Sequence, residues 1–386
     1  MKKGRSHGRP FELMPATRFA PSTCQRLIVK IGSALLVDGE GHVRRDWLRG
    51  VVADIAERHR AGQKIAVVSS GAIALGARRL GLAKGGRASL EDAQAAAATG
   101  QIALSHCWAE LLQEQQLTAA QMLVTLDDLE DRRRYLNAAA TLDRLLGAGA
   151  VPVINENDSV ATAEIRFGDN DRLAARVAQA AQAQGVLLLS DVDGLYDRDP
   201  HENGAKLLPR IEEVTAAVHA MASSKSASGL GSGGMVSKLQ AAEIATRAGI
   251  ALAIVNGTHP APLARALGAD LGTVFLPTRK ARARKAWLGG RQRLRGALTV
   301  DAGCARALLK GGSLLASGIT GVEGEFSRGD PVAVVDGVGK PVAQGLAEYD
   351  AGEVERIKGR RSDEHAALLG YAPRSAVIHR DQLVLL

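Results

Sequence analysis

Residues 64–76 read KIAVVSSGAIALG. A short run rich in β-branched residues stops at Ser69-Ser70-Gly71 and passes directly into an alanine-rich stretch, the pattern of a strand handing over to a helix at a tight turn. The same handover recurs in both directions from this point. Upstream lies LIVKIG (27–32), followed by an amphipathic segment from Trp47 to Arg60. Downstream come QMLVTL (121–126) with a helix through Tyr135 to Leu146, and VPVINE (151–156) with a helix starting near Asn170. GVLLLSD (185–191) with a helix after Met235, and ALAIVNG (251–257), complete the series. Strands this apolar are buried on both faces, which predicts an α/β fold: a mostly parallel open sheet sandwiched by helices, occupying residues 25–278.

At 386 residues and 46% hydrophobic content the chain can bury a large core and is long enough for two domains. The texture changes after Pro277. The stretch PTRKARARKAWLGGRQR is charged and carries paired glycines, so 279–291 reads as a linker. Beyond it ALTV, SLLAS, PVAVVD and PVAQGLAEY alternate with Gly and Asp turns at β spacing, which predicts a small β-rich domain over 292–386. Residues 1–24 lack periodicity and read as a flexible extension, with Met14 an alternative start.

Composition narrows the function classes. Cys24, Cys107 and Cys304 are far apart and form no CxxC pair, which argues against a disulfide framework or structural zinc site and suits a reducing cytoplasm. No apolar run reaches membrane-span length, and the basic N-terminus lacks the apolar stretch of a secretory signal, so no membrane role is expected. The net charge of +8 suits polyanionic ligands, nucleotide phosphates or RNA alike. Part of the excess is C-terminal: Lys280 to Leu386 holds 17 Lys and Arg against 12 Asp and Glu.

In open parallel sheets, ligands gather beyond the carboxyl ends of the strands, where loops feed helix N-termini with free N–H groups. Polar and small residues cluster at those ends: Lys30-Ile31-Gly32-Ser33, Ser69-Ser70-Gly71-Ala72, Asn155-Glu156-Asn157-Asp158 and Ser190-Asp191-Val192-Asp193-Gly194. Any one of these loops could be an ordinary βα turn; four together predict a shared crevice. Ser70-Gly71-Ala72 suits an anion, phosphate or carboxylate. The stretch SGLGSGGMVSKLQAAEIATRAG runs a Gly-rich loop into a helix with Lys238 in its first turns, a geometry for phosphates. Gly229, Gly231 and Gly234 formally satisfy GxGxxG, but no strand precedes them, and no GxxxxGK[ST] occurs, so neither a dinucleotide fold nor a P-loop NTPase is indicated. The span Asn155 to Asp171 packs acids and amides too densely for the capping roles of Asp169 or Asn170 alone. The nine histidines form no metal pattern.

KIGS, VVSSGAIALG, VPVINENDSVATAEIRFGDND, LLLSDVDGLYDRDP and SGLGSGGMVSKLQAA, in this order, resemble the glutamate 5-kinase branch of the amino acid kinases. The likeness runs from about Leu27 to the C-terminus, and GEFSRGDPVAVVD, AQGLAEY and VIHRDQLVLL resemble the PUA domain that many members append. The resemblance implies catalytic roles for Lys30, Lys238 and Asp171, with Asp171 holding the lysines in place. It implies ATP binding by Lys30, Ser190, Asp191 and the loop Ser232, Gly233, Gly234, Met235, Val236, Ser237 and Lys238, and glutamate binding by Ser70, Gly71, Asp158 and Asn170. Ser190 and Ser232 stand where threonine is frequent in the family; both retain a hydroxyl. Also implied are Mg²⁺ arriving with ATP, a homo-oligomer, feedback inhibition by proline, and a following γ-glutamyl phosphate reductase. Other acceptors remain as alternatives: aspartate, acetylglutamate, carbamate or a nucleotide. So does an RNA-binding protein with a vestigial kinase domain, although Phe326, Tyr349 and Tyr371 offer few surfaces for base stacking and favour a structural or regulatory C-terminal domain.

Overall fold

The computed structural model describes residues 15–160, 170–200, 202–222, 234–266, 272–278, 294–371 and 373–386. The main division of the chain into two compact units falls between Arg279 and Lys280. Among the described residues of the first unit, an eight-stranded sheet runs in the order β3-β4-β2-β1-β5-β7-β8-β6. The strands are β1 (Arg26–Ile31), β2 (Lys64–Ser69), β3 (Ala119–Val124), β4 (Val151–Glu156), β5 (Gly185–Ser190), β6 (Arg210–Ile211), β7 (Ala251–Asn256) and β8 (Thr273–Phe275). Every pairing is parallel except β7 with β8. The expected sheet is therefore the one observed, and β4 and β5 are buried along their whole length. β6 and β8, at two and three residues, are too short to leave a period in the sequence.

The chain lays β2, β3 and β4 to one side of β1, then crosses to the other side with β5. The carboxyl ends of β1 and its neighbours thus open at a topological switch, where a crevice forms. Helices follow several of the strands: Ala72–Leu80 after β2, Asn170–Ala180 after β4 and Met235–Arg247 between β6 and β7. Two glycines let one pair of helices meet at backbone contact. A Cβ on Gly76 of the Ala72–Leu80 helix would lie 1.8 Å from the Ala96 carbonyl oxygen. One on Gly100 of the Leu90–Glu114 helix would lie 1.8 Å from that of Ala72. Ser89 starts the longer helix by accepting from the Asp92 N–H at 3.1 Å.

The reading of residues 1–24 as a flexible extension needs correction at its end. Pro15–Phe19 form a 3₁₀ turn, and Phe19 and Cys24 are fully buried. Phe19 offers its carbonyl to buried Arg58 (3.1 Å) and Gln63 (3.1 Å), and Gln63 also donates to the Cys24 carbonyl at 2.6 Å. Sequence polarity concealed this because the tether runs through backbone carbonyls, which any residue supplies. Residues 1–14 and the expected linker 279–291 lie outside the described residues.

The second unit holds a five-stranded sheet in the order β10-β9-β11-β12-β13, with β9 Gly296–Val300, β10 Ile319–Gly324, β11 Pro331–Val335, β12 Pro341–Leu346 and β13 Leu383–Leu385. Helices Ala302–Leu309 and Ala351–Ile357 flank it, the second opened by an Asp350–Glu353 capping box. SLLAS, expected as a strand, makes only a bridge at Leu314 and a 3₁₀ turn from Ala316, and Gly318 just after it packs closely on Cys304. Among the described residues no helix is long and apolar enough to cross a membrane.

Candidate active site

The crevice at the strand ends is lined from β1 by Lys30, from the β2 loop by Ser70 and Gly71, from β4 and its loop by Asn155, Glu156 and Asp158, from β5 by Ser190 and Asp191, and from helix starts by Asn170 and Lys238. Three of these side chains interlock at its base. Lys30 Nζ stands 2.5 Å from Asp171 Oδ1, and Lys238 Nζ stands 3.1 Å from Asp171 Oδ2. The Ser237 hydroxyl also donates to Oδ2 at 3.1 Å. The lysines are 7% exposed and Asp171 is 1% exposed. Burial alone would push the Asp171 carboxyl up, but the two ammonium groups outweigh it and hold the group well below the usual carboxylate range. Two ammonium groups thus share one buried carboxylate.

Local sequence explains the convergence. Lys30 is the next-to-last residue of β1, whose Leu27, Ile28, Val29 and Ile31 fill the core. Asp171 follows Asn170 in the first turn of its helix, and Ser237 and Lys238 follow Gly234, the N-cap of theirs. Met235 and Val236 begin that same helix, with Val236 exposed. Ser232 and Gly233 lie outside the described residues. Gly71 caps the Ala72–Leu80 helix at φ +107°, and a side chain there would press on Val37 and Leu36. Gly71 and Ala72, at this helix start, line the crevice.

Around the lysines the crevice also carries neutral and acidic groups. Asn170 Nδ2 donates to Ser70 Oγ at 2.7 Å. Asp158 is pushed up to about 6 by burial, which Arg87 only partly offsets. On the β5 side Ser190 Oγ donates to Asp191 at 3.2 Å, and Asp193 accepts from Asn256 (2.7 Å) and Tyr196 (3.2 Å). Among the described residues no three His, Cys, Asp or Glu gather in a way that could hold a metal ion.

The structure thus brings Lys30, Ser70, Gly71, Asp158, Asn170, Asp171, Ser190, Asp191 and Lys238 to one place. Sequence reading overlooked Arg87, which lines the crevice from an irregular loop, and Gln101, which supports it from within a helix. The Arg87 loop carries no periodicity, and Gln101 looks like an ordinary polar residue on a long helix.

Comparison with known proteins gives the family. The pattern of the Amino acid kinase family matches residues 25–256, and that of the PUA domain matches residues 296–369. A glutamate 5-kinase from Novosphingobium aromaticivorans is 67% identical over 95% of this chain and 97% of its own. The glutamate 5-kinase of Sphingopyxis alaskensis is 66% identical over 95% and 99%. That of Zymomonas mobilis is 58% identical over 95% and 93%. With these relatives along nearly its whole length, the chain belongs to the amino acid kinase family, among the glutamate 5-kinases, and carries a PUA domain.

Proposed function

We propose that the protein transfers the γ-phosphoryl group of ATP to the side-chain carboxylate of L-glutamate, giving γ-glutamyl phosphate, the first step of proline biosynthesis. The observation that carries this reading is the buried Lys30–Asp171–Lys238 cluster, set beside a second group of residues suited to an amino acid.

A glutamate side chain has a pKa of about 4.3, so at neutral pH it is already a nucleophile and requires no base. Asp171, paired with two lysines and ionised, is unsuited to abstracting a proton and serves to place them. The obstacle is charge: carboxylate and triphosphate repel each other until positive groups intervene. Lys30, reaching in from β1, faces the transferring phosphoryl, and Lys238, at a helix start, faces the leaving β-phosphate. Ser190, Asp191 and the turn from Gly234 through Met235, Val236 and Ser237 take the rest of the nucleotide, together with Ser232 and Gly233. Ser70, Gly71, Asn170 and Asp158 take glutamate, Asp158 pairing with its ammonium. Mg²⁺, which neutralises phosphate charge in such transfers, would arrive with ATP, held by its phosphates and by water.

The same pocket for an ammonium and a carboxylate suits proline as a feedback inhibitor. The acyl phosphate product is labile, which calls for a reductase close at hand, and a homo-oligomer follows the family. The dispersed free thiols fit a cytoplasmic enzyme. The PUA domain is assigned a structural or regulatory part, and RNA binding is the alternative that salt-dependent RNA titration would reveal.

The deciding experiment is ADP release from MgATP with and without L-glutamate, with aspartate, acetylglutamate, carbamate and UMP as competing acceptors. Release that depends on glutamate above the others is expected; equal or greater release with another acceptor overturns the assignment. Near-normal turnover by Lys238→Ala would remove that lysine from the mechanism.

A further inference from the structure

A chain of buried side-chain amides runs from the interior to the crevice wall, and its polarity is fixed at one point. Asn155 Oδ1 accepts the backbone N–H of Glu156 at 2.9 Å. A backbone N–H can only donate, so that Asn155 atom is the oxygen and its nitrogen must face the other way. There Nδ2 donates to Gln101 Oε1 at 2.8 Å, and Gln101 Nε2 reaches Ser105 Oγ at 3.1 Å. On the crevice side, Asn155 Oδ1 and the Ser69 carbonyl both face one atom of the Asn170 amide, at 3.1 and 3.4 Å. Neither oxygen can donate, so the Asn170 atom is its nitrogen. Its Oδ1 is left over, buried and without a hydrogen-bond partner, on a residue that lines the crevice.

A buried acceptor without a partner is costly unless a ligand supplies the donor. Taking Asn170 as part of the proposed glutamate site, with Oδ1 its free acceptor, we infer that Gln101, which touches no substrate, is a positioning residue that anchors Asn155 and through it keeps the Asn170 amide turned to accept the ammonium. The crevice thereby reads the ammonium twice, by the Asp158 charge and by a neutral acceptor whose direction follows from the Glu156 N–H through Asn155 and is kept in place by Gln101. The inference rests on the proposed glutamate site and adds a determinant of amino-acid against dicarboxylate specificity.

The test compares L-glutamate with glutarate, which has the same reacting carboxylate and no ammonium. The wild type is expected to prefer glutamate by kcat/KM. In Gln101→Met, of similar volume but without the acceptor, the KM for glutamate should rise about tenfold, as for a lost charge-assisted hydrogen bond, while glutarate kinetics and the KM for ATP stay within about twofold. Gln101→Glu keeps an acceptor in either protonation state and should restore the preference. Ser105→Ala, which has no say in the polarity, should leave it unchanged. An equal loss for both substrates in Gln101→Met, or an unchanged preference, overturns the inference. Absence of glutamate turnover in the wild type would instead overturn the proposed function. Should Gln101→Met fail to fold, a crystal structure of the unaltered protein with L-glutamate decides: the ammonium must lie within hydrogen-bond distance of the Asn170 amide atom turned away from Asn155, and any other placement refutes the assignment.

Discussion

Lys30 and Asp171 form an ion pair of 2.5 Å, both nearly excluded from solvent, and the second carboxylate oxygen is occupied by Lys238. Replacing the carboxylate by an amide keeps the shape and removes the charge that gathers the ammonium groups. Asp171→Asn is expected to lower turnover by about 10² to 10³, the loss seen when a principal electrostatic element is removed. Steady-state ADP release measures this. A loss below about fivefold would mean the lysines find their places unaided.

The pH behaviour of this cluster follows from its sign. Asp171 is held below its ordinary range, so its stabilising contribution is complete above the unfolded-state value of about 3.9 and is lost only as pH falls through the depressed folded value. Melting curves between pH 5 and 8 should therefore show no transition from this group.

Asp158 behaves in the opposite way. Its carboxyl is raised to about 6, and it must be ionised to pair with an ammonium. The KM for glutamate should rise as pH falls through about 6 while the KM for ATP stays level. In Asp158→Asn the glutamate KM should be high at every pH, with the acid limb gone. An unchanged KM would detach this residue from the ammonium.

Gly100→Ala places a methyl group 1.8 Å from the Ala72 carbonyl oxygen, against backbone that has no rotamer with which to yield. Overpacking of this kind costs about 1–3 kcal/mol. Chemical denaturation of the purified protein should show the loss, and the glutamate KM should rise with it because Ala72 opens the helix capped by Gly71.

Phe19→Ala tests the N-terminal tether. Emptying a fully buried aromatic site should cost about 3–5 kcal/mol, with little change in either KM of the folded protein. Unaltered stability would mean the segment is only laid over the surface.

Much of this architecture was legible in the sequence because apolar strands and polar strand ends are separated cleanly along it. The VPVINE and GVLLLSD runs gave both a buried strand and the residues at its mouth. Lys30, Asp171 and Lys238 are 67 or more residues apart pairwise, and only the family resemblance joined them before their geometry was seen. What stayed hidden was carried by backbone groups and by context. The Phe19 anchor uses carbonyls, TVF is too short for a period, and Gln101 differs from other helical glutamines only in what Asn155 presents to it.

Gly100 and Gln101 are consecutive residues on one helix. The first lets that helix touch the segment behind Ser70, and the second grips the amide behind Asn170. Under the proposed assignment of Ser70 and Asn170 to the acceptor, a single half-turn therefore acts as a gauge block between the two walls that would flank it. Changing how long an acceptor the enzyme admits would mean resizing that block, and homologues with other acceptors should differ first at these two adjoining positions rather than among the lysines.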